Sequence, residues 1–152
     1  MPTLPVVSTL EQLVVDGTGV GVATSVPMAS GPYMNRPQRA GNRLYTVDGK
    51  VFDVGNGELV GTFGLQDNTP ATAIVVDEAH GRIFEWDGGF LISYDLATLE
   101  RLAIAQIKLA ASWTLEPKLI LWGTEGVALA DHDQLVVLSG PFFTTYRGRP
   151  TM

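Results

Sequence analysis

The chain has 152 residues, 45% of them hydrophobic and only 17% charged, with 17 glycines, 9 prolines and no cysteine. Its formal net charge of -6 argues against a nucleic-acid surface and against adsorption to anionic lipid, and the missing cysteines exclude disulfides, thiol chemistry and Cys-based metal sites. No run approaches the ~20 apolar residues of a membrane helix, and low charge with abundant glycine and proline favours short strands and tight turns over helix or disorder.

Met1-Pro2-Thr3-Leu4-Pro5 lacks the basic segment and apolar run of a signal peptide. If the protein is secreted, this sequence is expected to start after its signal. Residues 12–16 read as a strand, closed by the turn pair Asp16-Gly17, and 19–26 read as its hairpin partner. Pro27 to Gly41 is rich in Pro, Ser, Gly and Asn and predicts a long loop. The domain reading is a hairpin and loop over 1–41, followed by a body over 42–152.

The body is built on a repeat. Asn42-Arg43-Leu44-Tyr45-Thr46-Val47-Asp48-Gly49 returns as Gly81-Arg82-Ile83-Phe84-Glu85-Trp86-Asp87-Gly88. Val51-Phe52-Asp53 returns as Ser93-Tyr94-Asp95, and Glu58 as Glu100, both after 42 positions. A period near ~40 residues with about four short strands per unit is the mark of propeller blades. The first unit spans about 42–64. The second spans about 71–109, with strands at 73–77, 82–86, 91–96 and 101–109. Leu96–Ala111 also holds many helix formers, but the repeat favours strand. A third unit begins with 118–123, 126–131 and 134–138 and is cut short after Gly140-Pro141. The expected fold is all-β: antiparallel four-stranded blades in a partial, about three-blade propeller-like array completed by oligomerisation.

The segment from about 41 to 140 resembles bacterial secreted β-propeller proteins with YVTN- or quinoprotein-like repeats. Asn42–Phe63, Arg82–Leu102 and Leu119–Leu129 with Gln134–Leu138 carry the resemblance. Trp122-Gly123 to Gly126 is its most specific element. It covers about two-thirds of the chain and implies the closing part of a larger ring of about seven blades. The family hands over no catalytic residues. It implies an extracellular or cell-surface location.

Candidate chemistry is thin. His80 and His132 each sit in an acidic turn and read as exposed turn residues, since metal or acid–base work needs further converging groups. Asp131 and Asp133, with Asp67 or Asp87, lack the spacing of a calcium loop. Gly17-Thr18-Gly19-Val20-Gly21 fails as a phosphate loop because the third glycine of a dinucleotide fingerprint would fall at Val22 and no Lys-Ser/Thr follows. Ser30, Ser93, Ser112 and Ser139 lie in no nucleophile elbow. Trp86, Trp122, Tyr33 and Tyr45 read as core, and Trp113 as exposed.

No cofactor or metal is expected, and an enzyme is not. The expectation is a non-catalytic binding or scaffold module that self-associates through edge strands. Its interface residues would be Leu13 and Val15 in the hairpin, Trp113, and Phe142, Phe143 and Tyr146 in an apolar arm before a basic tail. The blade at one end lacks strands and the hairpin at the other has no blade, so the hairpin of one copy would complete the last blade of the next. The partners are copies of this chain, with no nucleic acid and no membrane insertion. Two other classes stay open: a structural subunit of an extracellular filament, sheath or virion shell, and an enzyme or carbohydrate-binding domain with a site on the ring face.

Overall fold

The computed structural model describes residues 9–28, 36–64, 73–108, 117–130, 134–140 and 142. Among these, every regular element is a strand and every pairing is antiparallel. Strands β1 (Thr9–Asp16) and β2 (Gly19–Pro27) form a two-stranded hairpin. Strands β3 (Gln38–Ala40), β4 (Arg43–Tyr45), β5 (Lys50–Asp53) and β6 (Leu59–Thr62) form a four-stranded meander. A second meander comprises β7 (Ala73–Asp77), β8 (Arg82–Asp87), β9 (Phe90–Asp95) and β10 (Arg101–Gln106). Strands β11 (Lys118–Trp122), β12 (Gly126–Ala130) and β13 (Leu135–Ser139) make a three-stranded sheet. The fold is all-β, as expected, with blade-like sheets and, among the described residues, no closed barrel.

One strand was hidden from the sequence. The loop expected over 27–41 contains β3, which pairs Arg39 with Leu44 and gives the first meander its fourth strand. Gln-Arg-Ala is too short and too polar to show alternation, and only its pairing with β4 defines it as a strand. The second meander ends on β10 as a strand, not a helix, and β10 stops at Gln106.

The repeat is written in hydrogen bonds as well as residues. Asp53 Oδ1 accepts from the amides of Gly55 and Asn56 at 2.7 and 3.3 Å. Asp95 Oδ1 accepts from the amides of Ala97 and Thr98, both at 2.8 Å. The Gly57 amide donates to the Asp53 carbonyl, and the Leu99 amide to the Asp95 carbonyl, each at 2.8 Å. An aspartate that ends a strand and folds its carboxylate over the next amides is an Asx-type turn, which explains why this residue returns. The turns differ at one place. Gly57 has φ +73 and Leu99, its counterpart, φ 64. A leucine in this region is strained. At Gly57 the second copy's solution is closed off, because a Cβ there would run into the Pro27 carbonyl.

The chain divides into two compact units, Met1–Pro70 and Ala71–Met152. In the first, Leu44 and Phe52 of the meander bury with Met28, and Leu10 and Val54 pack against them. The open end of the β1–β2 hairpin is thereby seated on the first meander. In the second unit, Ala73, Val75, Phe84, Trp86 and Leu91 of the β7–β10 meander form a core with Leu119, Val127 and Leu129 of the three-stranded sheet. Gly126, in the Trp-Gly-x-x-Gly segment, is buried where a Cβ would strike the Leu138 carbonyl of the neighbouring strand. That close backbone approach accounts for the glycine at the motif's end.

Candidate functional site

Three features carry chemistry or unsatisfied surface: a polar cluster at the β7–β8 turn, a tyrosine–glutamate pair on β8 and β9, and the β1–β2 hairpin.

The turn cluster is built by the strand ends. β7 finishes on Asp77, which pairs with Arg82 at the start of β8. Asp77 Oδ2 lies 2.8 Å from His80 Nδ1 and 3.8 Å from Arg82 Nη2. Its Oδ1 also accepts from the His80 amide at 3.3 Å. Arg82 is buried at 3% exposure. Its guanidinium carbon lies 5.2 Å from the centre of the Phe84 ring, and Nη1 donates to the Phe142 carbonyl at 3.5 Å. Burial pulls the guanidinium below its ordinary value and Asp77 opposes that shift. Asp77 is thus committed to a turn amide, a ring and a buried cation. The arrangement locks a hairpin; His80 serves the turn. Ser93 is buried on β9 and Ser139 is exposed on β13, and neither stands in a nucleophile–base arrangement that the hydrogen bonds describe.

Tyr94 and Glu85 are diagonal neighbours on adjacent strands, since Glu85 pairs with Ile92 and Tyr94 with Ile83. Both are buried. Burial drives the Tyr94 hydroxyl far above its ordinary 10.0, and the Glu85 charge adds to the shift. A raised folded value means that this contribution is complete below the unfolded tyrosine value and is lost as pH climbs past it. Stability is therefore expected to fall on the alkaline side from about pH 10 upward. Tyr94→Phe should flatten that fall in urea titrations taken across alkaline pH. An alkaline limb identical in wild type and variant would show that Tyr94 does not control it.

The hairpin is the feature with no internal explanation. Beyond its seated end it is exposed along both strands. Leu13 pairs with Val22 and Val15 with Val20, so all four share one face. Their exposures are 54%, 58%, 74% and 68%. The turn is tight: Asp16 Oδ1 accepts from the Thr18 hydroxyl at 2.6 Å and from its amide at 2.8 Å. The Thr18 hydroxyl bond holds the Asp16 carboxyl below its ordinary value, and the amide bond adds to it. An isolated two-stranded ribbon is marginal in water, and four clustered aliphatic side chains on it are a docking signature more than a solvated surface.

Of the residues the sequence marked for an interface, Leu13 and Val15 stand together on this ribbon. Phe142 is half-buried against the second unit's core, with its ring centre 6.4 Å from that of Phe84; it belongs to that core more than to a free arm. Trp113, Phe143 and Tyr146 lie outside the described residues, as do His132, Asp67, Asp131, Asp133, Tyr33, Ser30 and Ser112. Trp86 and Tyr45 are core, whereas Trp122, read as core, is 49% exposed. The sequence did not single out Val20 and Val22. The alternation Val20-x-Val22 opposite Leu13-x-Val15 was the available signal. Among the described residues no group of acids and histidines could hold a metal ion, and no helix is long and apolar enough to cross a membrane.

No family model matches the chain, and no curated protein does. Solved structures share its fold, two of them as follows. One is the crystal structure of the computationally designed Ika8 protein, 15% identical with a TM-score of 0.54, covering 86% of this chain and 42% of that one. The other is a candidate exported protein from Bacteroides fragilis, 14% identical with a TM-score of 0.55, covering 89% of this chain and 40% of that one. The chain therefore spans about two-fifths of the length of either structure.

Proposed function

We propose that this protein is a non-catalytic, blade-type scaffold or binding module that self-associates, with the β1–β2 hairpin as its projecting arm. The observation that carries the reading is the exposed face of Leu13, Val15, Val20 and Val22 on a ribbon too small to bury it. Blade arrays bury their faces against neighbouring blades, and a second chain supplies such neighbours. Two copies would together reach about four-fifths of the length of the structures that share the fold. The partner is a copy of this chain. An extracytoplasmic setting fits the Bacteroides fragilis neighbour's description and the cysteine-free composition.

Sedimentation velocity tests the reading. The wild type is expected to sediment as a dimer or larger. Val15→Lys with Val20→Lys places two charges on the ribbon face and is expected to weaken association by roughly 100-fold or more, because an unpaired buried charge costs several kcal/mol. Both sites are exposed, so the far-UV spectrum should not change. A wild-type protein that is monomeric throughout the accessible concentration range would sink the proposal.

A further inference from the structure

Resting on the self-association proposed above, we infer that the hairpin's acceptor is a trough on the outer face of the three-stranded sheet of a second copy. The pairing of that sheet defines its two faces. Leu119, Val127, Leu129 and Leu138 share the face that packs into the second unit's core. The opposite face carries Lys118, Ile120 and Trp122 on β11, Gly126, Ala128 and Ala130 on β12, and Leu135, Val137 and Ser139 on β13.

That outer face has a shape. Ile120, Ala128 and Val137 stand in one row across the sheet, and Trp122, Gly126 and Ser139 in the next. The middle strand offers only Gly and Ala, while large side chains stand on either side. Ile120 is 47% exposed, Trp122 49%, Leu135 56% and Val137 43%, but Ala128 between them is fully buried. The flanking side chains close over the small residues of the middle strand, so the trough is shallow and its exposed surface is apolar; a ladder of aliphatic side chains lies across such a face. The hairpin supplies that ladder in the Leu13–Val22 and Val15–Val20 pairs.

Two further observations favour a second copy as the occupant. The first is charge. By strand alternation Glu11, Leu13 and Val15 share a face of β1, and Lys118, Ile120 and Trp122 share a face of β11. Each face reads charge, apolar, apolar from its N-terminal end, with opposite signs. Aligned in the same direction, Glu11 falls against Lys118 and the apolar positions match. Aligned packing of two sheets, within about 30°, is the common mode. The second is layering: the hairpin is a sheet of only two strands with an exposed aliphatic face, and the outer face of the three-stranded sheet likewise leaves Ile120, Trp122, Leu135 and Val137 exposed, so each lacks the second layer that buries a sheet face. The contact is heterologous: arm of one chain, trough of the next. It closes a ring if the rotation allows and otherwise propagates.

The test is complementation between two disabled chains. The arm variant is Val15→Lys with Val20→Lys, and the trough variant is Ile120→Lys with Val137→Lys. Each alone is expected to lose at least roughly 100-fold in self-affinity. Mixed, they are expected to form a complex of one arm-variant and one trough-variant chain, because one keeps an intact trough and the other an intact arm. A charge-reversal series leaves the apolar face untouched. Glu11→Lys and Lys118→Glu should each weaken assembly by about fivefold, and either mixing the two chains or placing both changes in one chain should restore it, because each route again sets an acidic residue against a basic one. If the wild type associates and the trough variant associates equally well, the trough assignment is wrong while self-association stands. If both variants are monomeric and the mixture is too, the contact is not arm-to-trough. If the wild type itself is monomeric, the underlying reading falls with it.

Discussion

Trp86→Ala is expected to destabilise the second unit by about 3–5 kcal/mol, the range for removing a large aromatic side chain from a packed core. Trp86 is only 2% exposed, and it packs with Ala73, Val75, Phe84 and Leu91 from its own meander and Leu119, Val127 and Leu129 from the three-stranded sheet. It lies on β8 opposite Ala73 on one side and Leu91 on the other. The small Ala73 makes room for the indole, so no neighbouring side chain is placed to fill the hole it would leave. Domains of this size are stable by only about 5–15 kcal/mol in all, so the loss takes a large share. Urea unfolding followed by circular dichroism measures it. Trp86→Phe, which keeps an aromatic ring, should cost clearly less. Fluorescence gives a second readout: the buried indole emits at shorter wavelength than the half-exposed Trp122, so the variant's emission should shift to the red. A midpoint shift below about 1 kcal/mol would mean that the two sheets do not share this core.

What the sequence disclosed was whatever the repeat disclosed. Asp53 and Asp95 recur because each must turn the chain at a strand end, and the matching amide bonds confirm that one turn was written twice. Strands of alternating apolar residues, such as Arg82–Asp87, were equally plain. The failures share a physical cause. β3 is three residues long and polar, and pairing alone makes it a strand. Trp122 was assigned to the core by its size, yet strand alternation from buried Leu119 puts Lys118, Ile120 and Trp122 on the other face. Whether that face is covered depends on a neighbouring sheet, which local sequence does not encode. Phe142 was assigned to an arm by its position near the chain's end, whereas its carbonyl and ring are engaged by Arg82 and Phe84 from sixty residues away. The hairpin forms a two-stranded sheet; its exposed face became legible only when the pairing aligned Val20 and Val22 with Val15 and Leu13.

Asp77→Ala should be as costly as the loss of a core side chain, about 3–5 kcal/mol, although it removes a small polar group. The reason is Arg82. Its side chain is 3% exposed, and a guanidinium stays protonated at any accessible pH. Without Asp77 the buried charge loses the carboxylate beside it, and a ring face such as that of Phe84 or a carbonyl such as that of Phe142 compensates a charge less well than a carboxylate. Removing the whole pair is a different matter. Arg82→Met in the Asp77→Ala background takes away the charge that needed neutralising and leaves an unbranched apolar side chain over Phe84. The double variant is therefore expected to recover most of the stability lost by the single one. His80→Ala isolates the third member: its side chain is 43% exposed, so its bond to Asp77 should contribute less than about 1 kcal/mol. A double-mutant cycle by urea denaturation decides the matter. Strongly non-additive losses, with the double variant more stable than Asp77→Ala, are the expected result. Simple additivity would mean that Arg82 does not depend on Asp77 for its neutralisation.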